Sequence, residues 1–204
     1  MRQANLAAVV LSAAALSAPA FAADFINGNF EDGTLTGWSL GGGRTVNPTN
    51  NLDAARYFEG GAAYNPALAA ITVTTVGGLD AITGASTVFS GDHAVRVNNA
   101  VSNYSVSAIK QTVIDYQADQ IAFAWNAVLE ASHDATDSDA FNLILRDETT
   151  GTNLVNRSFS SASAPGTFSA VGNWFTSGWR TESLDVSALK GHTFTLSLLA
   201  TDCP

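Results

Sequence analysis

The sequence predicts an all-β chain folded as an antiparallel β-sandwich of the jelly-roll type. Three observations carry that expectation. Apolar and polar residues alternate at a period of two, as where Phe194, Leu196 and Leu198 are interleaved with Thr193, Thr195 and Ser197; this is the pattern of a strand with one buried and one wet face. Glycine-rich turn clusters recur between such runs, and glycine supplies the positive φ that tight turns need. The composition is rich in Thr, Ser, Asn, Gly and Ala and low in charge, which suits short strands and exposed turns better than long helices.

Taken in order, Ile71 and Val73 lie in a Thr-rich strand candidate, and Val95 and Val97 flank Arg96 in the next. Val106 and Val113 mark a further Ser- and Thr-containing strand region. Ile121, Phe123, Trp125, Ala127 and Leu129 make one face of a long strand, and Ala122, Ala124 and Val128 make the other, so both faces are expected to be covered. Phe141, Leu143 and Leu145 alternate with Asn142 and Arg146. Ser183 to Leu189 reads as a short helical turn before Gly191. The expected turns are Gly41-Gly42-Gly43, Gly60-Gly61, Gly77-Gly78, Ser90-Gly91-Asp92, Thr150-Gly151 and Pro165-Gly166. Many short strands separated by turns indicate a sandwich or jelly roll.

The first residues read as an export signal. Arg2 is the sole charge before Asp24, Leu6 to Leu16 are almost wholly Ala, Val and Leu, and Ala20-Phe21-Ala22 places small residues at the cleavage-critical positions. The apolar run is too short to span a membrane, and no Cys sits near the cleavage site to accept a lipid. Residues 1–22 are therefore expected to be a signal peptide and 23–204 one β-sandwich domain, secreted or held at the cell envelope with no membrane span. The mature chain carries a net charge of about −10 and two lysines. That excludes a nucleic-acid binder, which needs clustered Lys and Arg, and disfavours anionic membranes. Cys203 is the one cysteine; in an oxidising compartment a lone thiol points to an intermolecular disulfide, a missing partner or a free thiol.

Phe25-Ile26-Asn27-Gly28-Asn29-Phe30-Glu31-Asp32-Gly33, followed by Thr36-Gly37-Trp38, resembles the opening of galactose-binding-like and carbohydrate-binding-module-like jelly rolls of secreted bacterial proteins. Ser90 to Val97, the stretch from Ser107 through Gln111 to Trp125, and Trp179, Leu184-Asp185-Val186-Ser187 and Gly191-His192 resemble later segments of the same family. Such domains are common in proteins bearing a PEP-CTERM sorting tail, and no such tail is seen here. The resemblance implies a strand after Asp202-Cys203, so the sandwich is expected to lack its final strand. It also implies a structural Ca²⁺ site that includes Glu31, to which Asp32 and carbonyls near Asn27 would add oxygens, with a second carboxylate from the last strand. Calcium takes 6–8 oxygens, and the final-strand acid is not found.

Other candidates come from the residues themselves. Aromatic faces suit the C–H faces of sugars, and Trp38, Tyr57, Tyr64, Trp174 and Trp179 offer them. Trp38 and Trp125 are expected in the core, since Trp is usually buried in small sandwiches. Tyr57, Tyr64 and Trp174 lie in Gly- and Asn-rich stretches and are expected to be exposed and ligand-binding. His133 to Asp139 carries three acids but fails the EF-hand pattern, with Asp139 and Leu145 where Gly and Glu are required; it reads as a solvated acidic loop. No G-x-S-x-G, H-E-x-x-H or G-x-x-x-x-G-K occurs, and the three histidines share no metal-ligand spacing. The expected function is an exported non-catalytic module binding a glycan, a cell-surface polymer or another extracellular ligand. The alternatives are a structural or adhesive envelope protein and a glycan-active enzyme, the last requiring two carboxylates facing across a cleft.

Overall fold

A computed structural model describes residues 25–45, 52–101, 103–131, 134 and 137–203. The signal-peptide residues, and His133 in the acidic segment, lie outside these. The described chain is all-β, with helical structure limited to 3₁₀ turns. Its strands are β1 (Ser39–Arg44), β2 (Ile71–Thr75), β3 (His93–Val97), β4 (Ser105–Val113), β5 (Gln120–Trp125), β6 (Val128–Glu130), β7 (Ala140–Asp147), β8 (Thr152–Ser160), β9 (Ser169–Val171), β10 (Trp174–Thr176), β11 (Arg180–Asp185) and β12 (Phe194–Thr201).

The lower layer is a five-stranded antiparallel sheet ordered β1-β4-β12-β7-β8. β12 sits at its centre, as its apolar alternation predicts. Phe194, Leu196, Leu198 and Ala200 of β12 join Phe141, Leu143 and Leu145 of β7 in facing the interior. Tyr116 meets Phe194 edge-on, with centroids 5.4 Å apart at 86°, while Phe141, Phe159 and Phe168 form a ladder at the other end. Burial of each such side chain stabilises the fold by roughly 1.5–3 kcal/mol. The opposite face is covered too: Tyr57 and Phe58 pack on Val106, Ala108 and Leu199.

That outer cover explains one correction. Gly41-Gly42-Gly43 is not a turn but the middle of β1. A Cβ on Gly42 would stand 2.7 Å from the Ala69 nitrogen, and one on Gly41 2.8 Å from the Tyr57 carbonyl. Glycine is required because the segment carrying the Ala54–Tyr57 turn lies directly on the strand.

The upper layer is built of separate pieces: β5 with β11, β2 with β3, and β6-β10-β9. The long strand expected over Ile121–Leu129 is broken at Asn126. There the backbone changes partner, from β11 to β10. The Asn126 side-chain oxygen accepts from the Thr176 and Ser177 hydroxyls, and the Ala127 N–H donates to Ser177 Oγ at 2.8 Å. Ser183 to Asp185 continues β11 instead of starting a helical turn; only Ser187–Leu189 is 3₁₀. Glu182 of β11 receives Arg157 of β8 at 2.7 and 2.9 Å, tying the layers together.

Candidate ligand cleft

Because β3 pairs with β2 and β5 with β11, but not with each other, the upper layer is open between them. Beneath the opening lies a cleft. Its floor is the inner face of the lower sheet: Ile109, Leu143, Leu196 and Leu198. Its walls are His93, Ala94 and Val95 on one side and Phe123, Ala124 and Trp125 on the other. The apolar half encloses about 430 Å³ and runs on, past Trp125 and Trp179, into a polar half of about 170 Å³.

The N-terminal loop closes the apolar end. Gln111 clamps it by accepting the Ile26 N–H at 2.6 Å and donating to the Ile26 carbonyl at 2.9 Å. Phe30 stacks on Trp38 at 5.1 Å, and the Trp38 indole N–H donates to the Asn27 carbonyl. The Glu31 carboxylate accepts the N–H groups of Asp92 (2.9 Å) and His93 (3.2 Å), joining the loop to the start of β3. Gly91, at φ +74°, leaves room for it. Across the middle, Trp179 donates to the Ser86 carbonyl at 3.0 Å and packs on Phe89 at 5.6 Å. His93 Nδ1 is buried with no hydrogen-bond partner.

The polar half carries the unusual titrations. Asp202 Oδ2 accepts the Asn103 N–H at 2.7 Å. Burial pushes its carboxyl up to about 7, against the opposing effect of that bond and with help from the charges of Asp139 and Glu130. Asp139 accepts the Cys203 and Glu130 N–H groups at 2.9 and 2.7 Å; burial still raises its pKa. In the same half, Asp80 stands 3.8 Å from Arg96 and holds the turn N–H groups of Ile82 and Thr83. The Asp202 carboxyl, which keeps its proton more readily than usual and shares the cleft with two indoles, is suited to donating a proton or hydrogen bond to a bound polar ligand.

The residues predicted for ligand binding are not brought together. Tyr57 is fully buried, not exposed, because it fills the space between the outer cover and β1. Tyr64 is half-buried in that same cover, and Trp174 is half-buried at the start of β10, opposite Glu130 and Val171. None of the three lines the cleft. Trp38 and Trp125 are buried as expected, and their rings also border the cleft. Asp139 is 7% exposed and bonded to backbone, so it does not belong to a solvated loop. Trp179 alone of the aromatics weighed for stacking in the sequence lies half-exposed at the cleft. Asp202 belongs to the Asp202-Cys203 pair of the family resemblance, which assigns it no chemistry.

The oxygens expected to hold calcium serve the loop itself. Asn27 Oδ1 accepts the Asp32 N–H, Asp32 Oδ1 accepts from Thr34, and Glu31 is committed to β3. Among the described residues no group of three His, Cys, Asp or Glu side chains gathers, and in this arrangement the oxygens named for calcium are engaged in hydrogen bonds within the loop and to β3. Cys203 is unpaired but buried, and burial, followed by the Asp139 charge, pushes its thiol up to about 12. Disulfide exchange needs a thiolate, so the fold opposes the intermolecular disulfide.

No family model matches the chain, and no curated protein matches it. Among solved structures it is similar to the enzymatically active domain of the tailspike protein 4 of bacteriophage CBA120, with 12% identity and a TM-score of 0.38, over 88% of this chain and 19% of that one. The all-β architecture rests on the strands and sheets described above, and the closer family resemblance on the sequence motifs alone. The expectation of a non-catalytic module, and with it that of a non-enzyme, is not sustained: a solved structure to which the chain is similar is an enzymatically active domain, which is a property of that protein.

Proposed function

We propose that this chain is exported and acts on a glycan held in the polar half of the cleft. The observation that carries the reading is the Asp202 carboxyl, pushed up to about 7 on a wall shared with Trp125 and Trp179. A carboxyl that keeps its proton near neutrality is what protonation of a glycosidic oxygen requires. Asp80, beside Arg96, lines the same half of the cleft and would be the partner carboxylate. Trp179 offers its indole face to a sugar ring, and Asn126 and Asn99 add polar groups along the cleft. The N-terminal export pattern supports an extracellular substrate.

The test is a panel of bacterial and plant polysaccharides, read by tryptophan fluorescence for binding and by release of reducing ends for cleavage. Asp202→Asn is expected to keep binding and to lose cleavage by more than a hundredfold. Absence of both fluorescence change and new reducing ends across the panel would retire the glycan reading.

A further inference from the structure

We infer that Asp139 is a positioning residue for Asp202: the two side chains form a carboxyl pair in which Asp139 carries the charge and Asp202 the proton. The inference rests on the glycan reading only for what that proton is used for. The two residues occupy neighbouring places. Thr201 of β12 pairs with Ala140 of β7, and Asp202 and Asp139 stand one position beyond that last pair. Both are buried, and both line the polar half of the cleft. Asp139 also holds the segment that carries Asp202, since its Oδ1 accepts the N–H of Cys203, the next residue, at 2.9 Å.

Neighbouring carboxyl groups do not ionise together with ease, and their hydrogen bonds decide which does so first. Asp139 accepts a backbone N–H at each oxygen, from Cys203 at 2.9 Å and from Glu130 at 2.7 Å. Asp202 accepts one, from Asn103, at Oδ2. A backbone donor favours the charged form, so Asp139 takes the charge and Asp202 keeps the proton. The titrations agree with the geometry. Burial is the largest influence on both groups and raises both. On Asp139 it is opposed by the two backbone bonds and by the Cys203 thiol, whereas Asp202 has the Asp139 charge acting on it in addition. The other charged groups nearby do not reverse the order. Glu130 carries the same sign and raises both. Asp137 acts on the Cys203 thiol, which burial keeps protonated. Among the described residues lining the polar half, Arg96 is the one base, and it stands 3.8 Å from Asp80.

The experiment follows the aspartate carboxyl carbons of the isotope-labelled protein by NMR from acid to mildly alkaline pH, with Asp202→Asn and Asp139→Asn assigning the two signals. In the unsubstituted protein the signal lost in Asp202→Asn should titrate at the higher pH of the two. In Asp139→Asn the Asp202 midpoint should fall by about one pH unit, the size expected of a like charge at a neighbouring position. The Asn103 N–H should keep its protection from hydrogen exchange there, because Asp202 still accepts it. In Asp202→Asn the Asp139 midpoint should stay where it was, because Asp139 ionises while Asp202 is still neutral. Overturning results are an Asp139 signal that titrates at the higher pH, an Asp202 midpoint that does not move in Asp139→Asn, or an Asp139 midpoint that falls in Asp202→Asn. A fall at Asp202 together with lost protection at Asn103 would also overturn it, by showing that Asp139 is only a prop. Should Asp139→Asn not fold, the Asp202→Asn protein decides alone. No readout here needs a glycan, so a polysaccharide panel without binding or cleavage retires the glycan reading and leaves this inference standing.

Discussion

Replacing Asp202 with Asn should make the protein more stable at neutral pH and flatten its dependence on pH. The carboxyl moves from 3.8 to about 7 on folding, chiefly through burial. At about 1.36 kcal/mol per unit, a shift of that size corresponds to at most about 4 kcal/mol. The cleft brings water near the group, so about 2 kcal/mol is the expected measured value. The sign follows from proton uptake. Between pH 4 and 7 the folded state binds the Asp202 proton more tightly than the unfolded state, so this group's effect is to lower stability as pH rises through that window, with no further change above about 7. Asn does not titrate and still offers an oxygen to the Asn103 N–H. The advantage of the variant should therefore be near zero at pH 4 and about 2 kcal/mol at pH 8. Asp147 does not confuse the result. Burial alone would raise its pKa, but bonds from His192 and Thr150 hold it below 3.8, so the stability it contributes is lost only as pH falls below about 4. Urea unfolding of both proteins at pH 4, 6 and 8 is the assay. Equal stability at pH 8, or a variant that is weaker there, would refute the argument that burial strains this carboxyl.

Gly91→Ala should cost roughly 3 kcal/mol, since it meets a φ of +74° and presses a methyl on the Glu31 carboxylate, whereas Gly84→Ala, with φ +68° and open space, should cost about 1 kcal/mol; equal losses in thermal unfolding would show that the Glu31 latch contributes little. Cys203 should react slowly with a thiol reagent in the native protein and rapidly in denaturant, and rapid native reaction would mean that the C-terminal strand end opens readily. Calcium added in excess to chelator-treated protein should leave the melting temperature unchanged, and a rise of several degrees would show that Glu31 leaves the β3 N–H groups for a cation.

The layers of this fold are readable from alternation, and the cleft is not. Phe194–Leu198 and Phe141–Leu145 place β12 and β7 because a period of two fixes which face is buried. The break at Asn126 escapes such a reading. Ala127 and Leu129 keep the same alternation, and only the distant Ser177 and Thr176 hydroxyls show why the backbone changes partner there. Gly41 to Gly43 read as a turn because glycine usually marks one, while here it admits a covering segment. Tyr57 was expected at the surface from its Gly- and Asn-rich neighbourhood, but that neighbourhood is itself the cover that buries it. Asp202 and Asp139 acquire their chemistry from burial by residues far away in sequence, which no local motif records.

Residue-resolved hydrogen exchange on the unliganded protein tests most directly whether the upper layer is open between β3 and β5. The amides of β12, paired on both sides, should be the slowest to exchange. Within β3 and β5, alternate amides should be protected by β2 and β11; of the intervening ones, His93 is held by Glu31 and the others, facing the cleft, should exchange orders of magnitude faster. Uniform protection along both strands would show that the two edges are already paired and that the cleft does not exist in solution.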